Sequence, residues 1–228
     1  MRSPRDRKAP HVSSGKPTIK QQRAAERERK LAEFRKQEAR RKRNRKIAIA
    51  SAIVGGVVVV ALLVVSFVLI PQPASYTAGG SGAEIEGVET FENTSAHVTE
   101  AVDYAQTPPA GGEHNPAWLN CAVYTEPVPN ENAVHSLEHG ALWVTYDPSL
   151  SSSDLDELKS KLPSTYVILS PFDGLPSPIV LSGWNVQLQV DEADDPRIAQ
   201  FFEEYWKSDL VPEPGALCTG GVDAPGKA

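Results

Sequence analysis

Four of the five histidines, His97, His114, His135 and His139, fall within 43 residues, and none occurs in the 89 residues that follow. The densest piece is His135-Ser136-Leu137-Glu138-His139-Gly140. Asn130 can cap a short helix here, and Gly140 suits the left-handed position that ends one. On such a helix His135 and His139 lie one turn apart on one face, a spacing that lets two imidazoles grip one ion. A second segment, Pro108-Pro109-Ala110-Gly111-Gly112-Glu113-His114-Asn115-Pro116, has two prolines that stiffen it and two glycines that permit positive φ. It reads as a shaped loop presenting His114, and shaped loops often carry function. The expectation is one metal ion held by His135 and His139 and completed by His114 and His97. Glu138 either joins them or orients an imidazole from behind. Imidazole suits Zn(II) and Cu(II). The only methionine is Met1, so the C-terminal part offers no thioether for Cu(I).

Two other classes compete. His135-x-x-Glu138-His139 matches the inverted zincin pattern, in which two histidines hold zinc and the glutamate activates water. That reading needs a third ligand downstream, for which Glu203 and Glu204 stand available. Ser136 beside the histidines lacks a Gly-x-Ser-x-Gly elbow and reads as a poor nucleophile. The third class is an interaction module of the cell envelope without metal. Trp118, Trp143, Trp184 and Trp206 could anchor a partner protein, although Trp143 and Trp206 fall at positions that predict core.

The motifs together resemble a known family. His97-Val98, the run Val102-Asp103-Tyr104, the loop Pro108-Pro109-x-x-Gly112-x-His114, Trp118, a short Tyr-containing strand and Val134-His135-Ser136-Leu137-Glu138-His139-Gly140 are similar to domain of unknown function 3105. The resemblance covers most of residues 83–210. It implies a bacterial, membrane-anchored extracytoplasmic domain and supplies no activity. Gly111 and Glu113 stand where other small or rigid residues are expected.

Charge says where these motifs must sit. Residues 1–46 hold 18 Lys and Arg against 5 Asp and Glu, a net +13, while residues 72–228 hold 5 against 24, a net −19. Between them Ile47 to Ile70 is an uncharged run of 24 residues. As a helix it spans about 36 Å, enough for a hydrocarbon core of roughly 30 Å. It is too long for a signal-peptide h-region. Arg40, Arg41, Lys42, Arg43, Arg45 and Lys46 abut it, which predicts a cytoplasmic N-terminus and an outer C-terminal domain. The expected organisation is a basic, partly helical tail over 1–46, the span over 47–70, a Pro/Gly/Ser linker over 71–82 and an α+β domain over 83–228. Residues 1–20 read as disordered. The tail is expected to attract anionic lipid headgroups. With one aromatic residue and no base-reading motif, it is not expected to bind nucleic acid.

Inside the outer domain, Ala141–Tyr146, Tyr166–Leu169, Ile179–Leu181 and Val186–Val190 read as strands, the last with Gln187 and Gln189 on a wet face. Ser153–Leu162 reads as a helix with Ser153 and Asp156 as a capping box, and Arg197–Lys207 as a second amphipathic helix. The order predicts a mixed sheet with both helices on one face. Cys121 and Cys218 are the only cysteines, and outside the membrane they predict a disulfide.

Overall fold

The structure is a computed structural model that describes residues 18–69 and 72–228. Most of the N-terminal stretch read as disordered, and Ile70 at the end of the apolar run, lie outside the described residues. The chain forms two compact units, Met1–Ile70 and Pro71–Ala228.

The first unit contains α1, Ile19–Leu69, one continuous helix of 51 residues with no buried residue. Its N-terminal half is polar, and Glu26–Lys30 and Glu38–Lys42 pair at i,i+4, at 2.8 and 3.2 Å. Its C-terminal half is long and apolar enough to cross a membrane.

The second unit is α+β. Its strands are β1 (Val88–Thr90), β2 (Leu142–Tyr146), β3 (Val167–Pro171), β4 (Ile179–Gly183) and β5 (Val186–Val190), in the order β1-β5-β4-β2-β3. β2 and β3 run parallel, with Leu142 opposite Val167, and the remaining pairs are antiparallel. Parallel neighbours need a crossover, and helix α3 (Ser152–Ser160) supplies it. β4 and β5 form a hairpin closed by Trp184-Asn185, with Asn185 at φ 63°, a left-handed position that Asn tolerates.

Alternation along the strands gives the sheet two different faces. Leu142, Val144, Leu169, Leu181 and Leu188 point to one of them, where α3 and α4 (Pro196–Tyr205) cover them with Leu158, Ile198, Phe201 and Phe202. Each of these large side chains contributes about 1.5–3 kcal/mol by leaving water. Trp143 and Ile168 point the other way and pack with Leu119, Tyr124, Ala133 and Leu137. Ala133 and Leu137 belong to α2 (Asn130–Glu138), the helix that carries the histidine motif.

Several local expectations are corrected. The cap of α3 is Ser151, whose hydroxyl accepts from the Asp154 N–H, rather than Ser153 with Asp156. The helix begins earlier because Ser151 is the residue in the extended conformation that a cap requires. α2 is entered from Pro129, and Asn130 is its first helical residue, making no side-chain cap. Gln187 is buried at 4% exposure instead of facing water, because its amide donates to the Pro108 carbonyl and to Ser182 Oγ, both at 2.9 Å. Part of the segment expected as a linker packs on its own unit. Tyr76 stacks on Phe202 with centroids 4.9 Å apart, and the Glu204 carboxylate accepts from the N–H groups of Ser81, Gly82 and Ala83. Those bonds, led by Ser81, hold the Glu204 carboxyl below the usual carboxylate range.

Cys121 and Cys218 are paired as a disulfide with Cα atoms 5.4 Å apart, inside the span such a bond allows. It closes a sequence separation of 97 residues and contributes about 4–5 kcal/mol in the chain-entropy view. It also fixes the irregular C-terminal segment beside the strand-free stretch at Leu119–Tyr124, where the Cys121 N–H donates to the Cys218 carbonyl at 2.8 Å.

Candidate metal centre

Three pieces of backbone bring the histidines together. The first is α2. Gly140 at φ 91° lets the chain turn off the helix, and the Gly140 and Ala141 N–H groups close it on the Leu137 and Ser136 carbonyls. A Cβ at Gly140 would meet the Lys207 Cα at 3.2 Å, so both conformation and space favour glycine. The second is the loop over 108–116. The sheet end holds it. The Gln187 amide binds the Pro108 carbonyl, the Asn185 N–H donates to the Ala110 carbonyl at 2.7 Å, and the Trp184 ring packs edge-on against His114 at 5.7 Å. The third is the segment around His97, which lies parallel to the loop. The Val98 N–H donates to the His114 carbonyl at 2.7 Å, and the His114 N–H donates to the Ala96 carbonyl at 3.0 Å.

The four imidazoles form one contiguous group. Ring centroids are 4.8 Å apart for His97–His114 and for His97–His135, 4.9 Å for His114–His135 and 4.6 Å for His135–His139. His114 is fully buried, His135, His139 and Glu138 are each 3% exposed, and the His97 side chain keeps 42% of its surface in solvent. Trp118 leans against His135 and His139 at 5.9 and 5.3 Å.

Hydrogen bonds fix which nitrogen three of the rings offer. Nδ1 of His114 lies 2.8 Å from the Gly112 carbonyl, Nδ1 of His135 2.7 Å from the Asn115 carbonyl, and Nδ1 of His139 2.7 Å from the Leu217 carbonyl. A carbonyl oxygen only accepts, so in all three rings Nδ1 carries the proton. In the neutral ring Nε2 then holds a bare lone pair. Metal-ligating histidines are commonly tied down in this way, one nitrogen on a backbone carbonyl and the other free for the ion.

What those lone pairs face is the notable feature. His114 Nε2 is 2.9 Å from Glu138 Oε2, and His97 Nε2 is 3.5 Å from the same oxygen. The His114 lone pair and the carboxylate repel at 2.9 Å unless a proton or a cation lies between them, whereas His97, whose tautomer no backbone carbonyl sets, can turn an Nε2–H to the same oxygen. His135 takes no such proton readily. Burial pushes its pKa down to about 4, despite the hydrogen bond to Asn115, and its neighbours His139, His114 and His97 push the same way.

One donor atom from each of His97, His114, His135 and Glu138 lies within 4.8 Å of the others. A second group, His135, His139 and Glu213, meets the same limit. Ligands around tetrahedral zinc at about 2.0–2.1 Å are separated by about 3.3–3.4 Å. The contacts to Glu138 and the 3.3 Å between His139 Nε2 and Glu213 Oε2 bracket that length. The sequence-predicted histidines are therefore adjacent, but they divide: His135 touches both groups, and His139 falls with Glu213 rather than with His114 and His97. Glu138 lies among the donors.

The other named residues lie elsewhere. Ser136 is buried and donates to the Leu119 carbonyl at 2.7 Å, a structural bond that draws the Trp118 segment onto α2. Glu204 binds the 81–83 backbone, and Glu203 accepts from the Thr77 N–H at 3.1 Å. Neither belongs to a donor group among the described residues. Sequence reasoning did not find Glu213. Its only signal is its place five residues before Cys218, since the disulfide and the bond from the Glu213 N–H to the Glu138 carbonyl bring that segment to α2.

Residues 97–220 match the family described as protein of unknown function (DUF3105), and the chain belongs to that family. No curated protein and no solved structure matches the chain.

Proposed function

We propose that the chain is a membrane-anchored metal-binding protein whose outer domain holds one divalent transition cation, Zn(II) or Cu(II), through His97, His114, His135 and Glu138. The observation that carries this reading is the pair of buried acceptors, His114 Nε2 and Glu138 Oε2, facing each other at 2.9 Å with two further imidazoles against them. A cation satisfies all four at once. The absence of thiol and thioether donors from the group favours an imidazole-preferring ion over Cu(I). The competing reading is a metal-free structural cluster in which His114 is protonated and ion-paired to Glu138. It accounts for that one contact but leaves the His135 Nε2 lone pair without a partner of opposite character among the described residues.

The rest of the organisation is proposed with it. Residues 47–70 span the bilayer, the basic residues 40–46 stay in the cytoplasm, and the domain over 83–228, joined through 71–82, faces an oxidising exterior where its disulfide persists. The tail over 1–46 lies against anionic lipid headgroups.

Calorimetric titration of the full chain in detergent micelles with zinc and with copper(II) tests the metal reading. One ion per chain is expected, with affinity falling at least about tenfold in His114→Ala and in Glu138→Gln. Equal binding by all three proteins, or none by any, leaves the metal-free cluster standing.

A further inference from the structure

The inner group does not use His139 or Glu213, yet both are arranged as ligands. His139 is 3% exposed, its Nδ1–H is tied to the Leu217 carbonyl, and its Nε2 faces the Glu213 carboxylate at 3.3 Å. The same conflict of two acceptors therefore recurs one imidazole away from Glu138. His135 belongs to both groups. Its Nδ1–H is spent on Asn115, so Nε2 is the one nitrogen it can give a metal, and that nitrogen binds one ion at a time. An ion in the inner group and an ion in the outer group must compete for it.

The two positions differ in what surrounds them. The Glu138 side chain is 4% exposed and sits on the helix, whereas Glu213 is 48% exposed and sits on the irregular segment that the disulfide fixes. The inner group has four donors and the outer has three. The inner position is accordingly the tighter, and the outer is the one within reach of another molecule.

We propose that His139 and Glu213 form an exchange position through which the cation enters and leaves the inner site, with His135 kept as ligand throughout. This rests on the metal-binding reading above. The step is a ligand substitution. Bonds from the ion to His97, His114 and Glu138 break, and bonds to His139 Nε2 and Glu213 form. No electron moves. No proton need be displaced, because His139 already offers a bare Nε2. The ion crosses between two ligand sets without becoming fully hydrated, which keeps the barrier below that of direct release. The acceptor it fits is a protein or small ligand that itself offers imidazole or carboxylate donors and approaches at Glu213.

The test is the rate at which the full chain in micelles, loaded with one equivalent of zinc, gives its metal to a chromophoric chelator in stopped flow. Glu213→Gln is the main variant. It is isosteric, half exposed and keeps the backbone bond to Glu138. His139→Gln with Glu213→Gln is the second, and retained thermal unfolding confirms that each is folded. Transfer should slow at least about tenfold in both, while affinity by calorimetry falls less than about threefold. A transfer rate equal to wild type overturns the proposal and places the exit at half-exposed His97 instead. An affinity loss as large as that of His114→Ala also overturns it, since His139 and Glu213 would then be ligands of a single site. A wild type that takes up no zinc overturns the metal reading itself, and the exchange position with it.

Discussion

The two faces of the sheet in the unit Pro71–Ala228 are built from the same strands and do different work. One face is an ordinary apolar interior, closed by α3 and α4 over Leu142, Val144, Leu181 and Leu188. The other has a smaller apolar patch around Trp143 and Ile168, and beyond it the imidazoles of His114, His135 and His139 and the Glu138 carboxylate, which exclude water almost as completely as Phe201 does. Burial stabilises the first face outright. On the second it sets His114 Nε2 against a Glu138 oxygen at 2.9 Å, a contact that needs a proton or a cation between the two atoms. Similar exposure values thus have opposite energetic meanings, and the difference lies in which atoms are buried.

Perturbing each face in turn should separate the two roles. Phe201→Ala removes a fully buried ring from the apolar face and should lower unfolding free energy by about 3–5 kcal/mol in denaturant titrations. The molecules that remain folded should bind metal with unchanged affinity. A loss of affinity on that side would mean that the faces are coupled and the contrast is wrong.

A smaller effect concerns acid. His135 has its pKa pushed down to about 4 by burial, with His97, His114 and His139 facing it, while the unfolded chain titrates near 6.5. Between those values the unfolded state binds the extra proton, so metal-free protein should lose stability as pH falls from about 6.5 to about 4. Carboxylates held low by hydrogen bonds, such as Asp195 by Arg197 and Glu204 by Ser81, have the same sign but act only below their unfolded range near 4. His135→Leu should therefore flatten the upper part of the profile and leave the lower part intact. Melting temperatures across pH, with metal chelated, are the check. A profile above about pH 4.5 that is identical in the variant would remove His135 as its source.

The apolar face was largely legible in the sequence. The 3.6-residue rhythm of Ile198, Phe201, Phe202 and Tyr205 and the short apolar runs at Val167 and Ile179 are local patterns, and each became the expected element. The errors there were small and came from competing partners: the cap moved to Ser151, and Gln187 turned inward because the Pro108 carbonyl needed a donor. On the polar face the i,i+4 spacing correctly set His135 beside His139, and the loop did present His114. The sequence could not show that these rings sort into two donor groups, because the sorting depends on Glu213, which is 74 residues after His139 and arrives by way of the disulfide. Nor could it show the three carbonyls of Gly112, Asn115 and Leu217 that settle which nitrogen His114, His135 and His139 offer. β1 was missed for the same kind of reason. Val88-Glu89-Thr90 is too short to have a rhythm, and it is a strand only because β5 offers it an edge.

In the proposed metal centre, imidazole nitrogens and the Glu138 carboxylate converge on a cation. X-ray absorption at the zinc edge of the loaded full chain reads that convergence directly. The arrangement calls for about four light-atom ligands near 2.0–2.1 Å, with the outer-shell scattering of three imidazoles. Glu138→Gln should change the carboxylate contribution and leave the imidazole scattering in place. A shell of oxygens without imidazole scattering, or one that includes sulfur, would contradict the account.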